Sequence, residues 1–139
     1  MNIKKLIFFV FLFISFKNTY SQSVEEYANM LAAENYQQWI LDNTEVHLGD
    51  DDCENGMVYT FFRENNVAIR KVCVNHKWSV DNLNWEVAYE DEIYKLKISD
   101  GVVYEIDFLS INDQLKLRLR VLVSPDKIIP VNDYYFIKN

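Results

Sequence analysis

From Trp85 to Val123, apolar side chains recur at every second position through four successive runs, a period that belongs to strands and not to helices. Trp85, Val87 and Tyr89 alternate with Glu86, Ala88 and Glu90. Tyr94, Leu96 and Ile98 alternate with Lys95 and Lys97. Val102, Tyr104, Ile106 and Phe108 alternate with Val103, Glu105 and Asp107. Leu115, Leu117, Leu119, Val121 and Val123 alternate with Lys116, Arg118, Arg120 and Leu122. Each run reads as a strand with one buried face.

The turns between the runs test this reading, because a slip of one residue moves a whole strand's side chains to the other face. Ser99-Asp100-Gly101 suits a three-residue loop with glycine in its left-handed position. That loop sets Ile98 opposite Val102, Leu96 opposite Tyr104, Tyr94 opposite Ile106 and Lys95 opposite Glu105. A four-residue loop from Ser110 to Asp113 sets Phe108 against Leu115, Ile106 against Leu117, Tyr104 against Leu119 and Val102 against Val121. Outside, it pairs Asp107 with Lys116 and Glu105 with Arg118. A hairpin at Asp91-Glu92 pairs Tyr89 with Tyr94, Val87 with Leu96, Trp85 with Ile98 and Glu86 with Lys97. Asp-Glu is a poor pair for a two-residue turn, so a longer loop is allowed there.

Upstream, Met57 to Arg63 and Val67 to Val74 are strand-like around Asn65-Asn66, where two- and three-residue loops give different faces. Gln38 to Val46 is read as a first strand carrying Trp39. Tyr134 to Ile137 is read as a short last strand after the Pro125–Pro130 connection. One helix is expected over about 24–36: Ser23 and Glu26 have capping-box spacing, and Tyr27, Met30, Leu31 and Tyr36 form a loose stripe. The expected fold is mainly β, an antiparallel up-and-down meander of seven or eight strands closing into a barrel or half-barrel. Closure removes the exposed edges of such a sheet.

The first residues carry the pattern of an export signal. Lys4 and Lys5 precede an apolar run from Leu6 to Phe16, broken by Ser15. Thr19 and Ser21 then stand two apart, with Gln22 next. This predicts a signal peptide over 1–21 and one domain over 22–139, located in the periplasm or outside the cell. The run is about half of the ~20 residues a membrane span needs, so no span is expected in the mature chain. The full chain has 14 basic and 21 acidic residues. Without Lys4, Lys5 and Lys17 the balance is 11 against 21, a net of about −10. Such a surface repels phosphate backbones, which argues against nucleic acid as a partner and leaves a basic protein as one to consider. Cys53 and Cys73, in an oxidising compartment, are expected to form a disulfide.

In its order of residues the chain resembles the small exported lipocalin-like domains of bacteria. Trp39 stands near the start, Asp50-Asp51-Asp52-Cys53 precedes a strand carrying Phe61, and Cys73 ends the next. Trp85-Glu86-Val87, Tyr94-Lys95-Leu96-Lys97-Ile98, Tyr104-Glu105-Ile106-Asp107-Phe108-Leu109-Ser110 and Leu115-Lys116-Leu117-Arg118 follow. The likeness covers about 39–123. The G-x-W that opens many lipocalins is absent, since Gln37-Gln38 precedes Trp39. The resemblance implies a lipocalin-like β-barrel or half-barrel with room for a ligand, without naming one.

No serine-hydrolase, zinc-protease or phosphate-loop motif is present. The chain is read as a non-catalytic binding protein, with no cofactor and no metal, and an enzyme ranks last among the classes considered. Asp50 to Asp52 with Glu54 lack EF-hand spacing and read as a solvated loop. His47 and His76 read as loop-edge residues. Trp85, Tyr89, Tyr94, Tyr104 and Phe108 share the expected inner face and are the candidate lining of a ligand cavity. Buried phenols need hydrogen-bond partners, so three of them inside imply water, a polar network or a cavity. Two functions follow: a binding protein for a small apolar or amphipathic ligand, or a protein-interaction module of inhibitor or immunity type that uses the acidic surface.

Overall fold

A computed structural model describes residues 23–42, Cys53 and residues 56–139. The expected signal peptide, His47 and the acidic run Asp50–Asp52 with Glu54 lie outside these residues. A helix, α1, covers 23–32. Eight strands follow: β1 (Tyr36–Leu41), β2 (Met57–Phe62), β3 (Val67–Val74), β4 (Lys77–Glu90), β5 (Ile93–Ile98), β6 (Val103–Ile111), β7 (Gln114–Val123) and β8 (Asp133–Lys138). Each pairs antiparallel with its sequence neighbours, and β8 pairs with β1 to close the barrel.

α1 forms because Val24, Tyr27, Ala28 and Leu31 recur at helical spacing. Ala28, Leu31 and Ala32 are buried, whereas Met30 of the expected stripe is exposed. The helix stops at 32 and not at 36. Ala33 takes a positive φ of 52°, its N–H caps the Asn29 carbonyl at 2.8 Å, and Tyr36 already belongs to β1. Trp39 Nε1 donates to the Leu31 carbonyl at 2.8 Å. That bond satisfies an orphan group of the last turn and fastens α1 to the barrel.

The β4–β5 hairpin has the expected register, with Trp85 opposite Ile98 and Tyr89 opposite Tyr94. Its loop is only two residues long, because Asp91 and Glu92 both adopt the positive φ of a type I′ turn. Asn112 and Asp113 do the same, which corrects the four-residue loop expected over Ser110–Asp113. β6 and β7 therefore slide by two residues: Tyr104 faces Val121, Ile106 faces Leu119 and Phe108 faces Leu117. A shift of two keeps every side chain on its expected face and changes only its partner. The outer ion pairs move accordingly, to Asp107 with Arg118 and Glu105 with Arg120. β1 begins at Tyr36, two residues before the expected start.

β4 is longer than its alternating part. Residues 77–84 pair with β3, and residues 85–90 pair with β5. The first half shows no clean alternation, since Trp78 and Val80 fall on one face and Leu83 on the other. The barrel interior holds Trp39, Tyr59, Phe61, Ala68, Trp85, Leu96, Tyr104, Ile106, Leu117, Leu119 and Phe136, all nearly or wholly removed from solvent.

Cys53 and Cys73 form the expected disulfide. Gly56 reinforces it, donating to the Cys53 carbonyl and accepting from the Cys73 N–H, each at 2.9 Å. Converting both cysteines to alanine is expected to lower the unfolding free energy by ~3 kcal/mol, the loop-closure entropy of about 20 residues. Urea unfolding of the double variant against the oxidised protein measures this. Gly101 sits at φ 94°, and a Cβ there would stand 2.8 Å from Pro125 Cγ. Gly101→Ala is expected to cost ~1–3 kcal/mol, read as a lower melting temperature.

Candidate functional site

Polar groups inside a small barrel are the first place to look for function, because their burial needs a reason. Five cross-strand neighbours form a belt through the sheet: Lys138 beside Trp39, Trp39 beside Tyr59, Tyr59 beside Arg70 and Arg70 beside Asp81. The pleat gives them one common face, the inner one. Lys138 Nζ lies 5.7 Å from the Trp39 ring centre, at the belt's exposed end.

Arg70 is the centre of the site. It is 2% exposed, the one charged residue among the buried side chains of the described residues. Its Nη2 stands 2.8 Å from Asp100 Oδ2 and 3.2 Å from Asp81 Oδ2. The contact with Asp100 is close enough for an ion pair but lacks hydrogen-bond alignment, whereas that with Asp81 has it. Asp100 reaches inward from the β5–β6 turn, where its Oδ1 accepts the Val102 N–H at 3.1 Å. Nε and Nη1 of Arg70 have no well-aligned acceptor among the described residues, although the Tyr59 hydroxyl stands close enough to interact with the guanidinium. Burial opposes the guanidinium's charge, but Tyr59 and Asp100 outweigh it and hold the pKa above the ordinary value.

Tyr59 and Tyr104 complete the constellation. Their hydroxyls meet at 2.6 Å. β2 and β6 are four places apart in the eight-strand ring, so this bond crosses the lumen. Around it the rings pack edge to face or stacked: Tyr59 on Phe61 at 5.1 Å and on Phe136 at 5.9 Å, and Phe61 on Trp85 at 5.8 Å. Burial raises both phenol pKa values, that of Tyr104 the more, while Arg70 pulls that of Tyr59 partly back.

The five aromatic residues singled out from the sequence separate into two groups. Tyr104 and Trp85 lie deep inside, and Trp85 Nε1 donates to the Phe62 carbonyl at 3.1 Å. Tyr94 and Phe108 lie under α1: Tyr94 stacks on Tyr27 at 4.0 Å, and Phe108 meets Tyr27 and Trp39. Tyr89 is 36% exposed and leans on Tyr94 at 4.8 Å. Sequence reasoning missed Tyr59, Arg70, Asp81 and Asp100. A surface depression of about 260 Å³ opens where β4 passes from β3 to β5. Asn84, Trp85, Glu86, Lys97, Ile98 and Ser99 line it, the last beside Asp100. Another, of about 480 Å³, lies against Asn29, Ala33, Glu34 and Arg63. Among the described residues no three His, Cys, Asp or Glu side chains converge as metal ligands, and no helix is long and apolar enough to cross a membrane.

Comparison of the chain with protein-family models, with curated proteins and with solved structures finds no match.

The phenol pair gives a pH signature. An unfolded tyrosine ionises near 10.0, and the fold holds both protons beyond that point. Their contribution to stability is therefore complete below pH 10 and is lost as the pH climbs from there toward the raised folded-state values. Urea unfolding followed from neutral pH to about pH 11 is expected to show this decline, flattened in Tyr59→Phe/Tyr104→Phe. At neutral pH, Tyr104→Phe alone is expected to cost ~1–3 kcal/mol by stranding the Tyr59 hydroxyl.

Proposed function

We propose that the protein is an exported, non-catalytic binding protein that holds a small amphipathic molecule in its barrel, in the manner of lipocalin-like domains. One observation carries this reading: Arg70 is buried in an aromatic interior, and two of its three nitrogens lack a well-aligned acceptor among the described residues. A buried donor without a partner costs about as much as a lost hydrogen bond, so a group outside the chain is the natural acceptor. An apolar enclosure with a few convergent polar groups is what small-molecule recognition requires. In this reading Trp85, Tyr104 and Phe61 contact the ligand's apolar part near Arg70. Tyr89, Tyr94 and Phe108 line its approach beneath α1. The disulfide supports an oxidising destination.

A second reading, a protein-interaction module, draws on the outer face. Lys95, Lys97, Lys116, Arg118 and Arg120 are all paired with carboxylates there. The chain's acidic surplus thus stays uncompensated and suits a basic partner. Native mass spectrometry of the full chain as purified from an exporting host separates the two. Ligand binding predicts a co-purifying small mass that Arg70→Met abolishes, and saturable binding of the neutral apolar dye N-phenylnaphthylamine. A chain that carries no small mass and ignores the dye ends the ligand reading, and a co-purifying protein supports the second.

A further inference from the structure

Resting on that ligand-binding reading, we infer that the bound molecule presents an uncharged oxygen acceptor, the carbonyl of an ester, amide or ketone, and not a carboxylate. Charge balance at Arg70 carries the inference. The guanidinium already faces two carboxylates through Nη2, Asp100 at 2.8 Å and Asp81 at 3.2 Å. The Asp100 side chain is only 16% exposed, so it is a committed interior counter-ion, while Asp81 is 46% exposed. A third anion would enter a low-dielectric site that is already neutral or negative, and burial of an unbalanced charge is costly.

What the site lacks is acceptors. A guanidinium has five N–H groups, and the two on Nη2 face carboxylates. Nε and the two hydrogens of Nη1 have no well-aligned acceptor among the described residues, with only the Tyr59 hydroxyl oxygen close by. The Tyr59–Tyr104 bond uses one phenolic hydrogen of two, which leaves the second free to donate. Asp100 Oδ1 is engaged by the Val102 N–H, and Oδ2, 2.8 Å from Nη2 but poorly aligned, is the one acceptor to set against these donors. The interior thus offers an excess of donors at balanced charge. A carbonyl oxygen answers such donors with its two lone pairs and brings no charge with it. The same accounting assigns Asp100 a selectivity role, as a built-in carboxylate that excludes acidic head groups by repulsion.

Three probes with one alkyl tail test this: octanamide, methyl octanoate and octanoate, titrated near neutral pH into the full chain and read by calorimetry and tryptophan fluorescence. The amide and the ester are expected to bind about tenfold or more tighter than the carboxylate. In Asp100→Asn the amide side chain keeps an oxygen for the Val102 N–H but removes the charge, and the preference is expected to reverse toward octanoate. Circular dichroism confirms that the variant is folded. Octanoate binding as tightly as the amide in the natural protein, or an unchanged preference in Asp100→Asn, overturns the inference and leaves the ligand-binding reading standing. If no probe binds, the ligand-binding reading itself falls, and this inference with it.

Discussion

A positive charge buried inside an eight-stranded barrel must be answered by negative charge, and much of this fold can be understood from how Arg70 obtains its counter-ions. One comes from the next strand: β4 runs past the point where β5 leaves it, and its extra residues bring Asp81 opposite Arg70. The other comes from a turn. Asp100 reaches inward because Gly101 takes a conformation other residues resist and because Pro125 packs close against it. Tyr59, the neighbour on the other side, links the cation to Tyr104 across the lumen. Breaking one partner of such a network leaves a buried charge uncompensated, which costs more than the pair contributes when intact.

The outer face solves a different problem. Glu105, Arg120 and Asp133 form a chain of contacts across β6, β7 and β8, and Asp107 meets Arg118 beside it. Lys116 reaches Asp42, just past β1, at 2.6 Å. Exposed pairs of this kind add little stability individually. They favour the observed register only weakly, since a two-residue slide of β6 on β7 would still pair Asp107 with Lys116 and Glu105 with Arg118.

The sequence made the second half of the barrel legible because its inner and outer faces differ sharply in polarity. Parity alone, however, does not distinguish registers two residues apart, so the alternation allows Leu115 opposite Phe108 as well as its actual neighbour, Leu117. Asn112-Asp113 is the deciding pair, and its left-handed preference was a usable signal. The first half was harder. Arg70 interrupts an inward row with a charge, and Lys77 to Asn84 has apolar residues on both faces, so neither stretch shows the period of a half-buried strand. The site escaped notice for the same reason. Its members come from β2, β3, β4 and the β5–β6 turn, and no local spacing connects them. Tyr104 and Trp85 were found because they belong to the patterned half.

β4 serves β3 with one half and β5 with the other, which leaves a flank of residues 77–83 with no backbone partner among the described residues. An open strand flank is a template on which another chain's strand can assemble. Lys77 and Asp81 lie along this one, and charges there discourage such growth. Asp81 thereby stands in two places at once, opposite the buried cation and on this flank. Selection on this one side chain would therefore bind the chemistry of the lumen to the colloidal behaviour of the protein in solution.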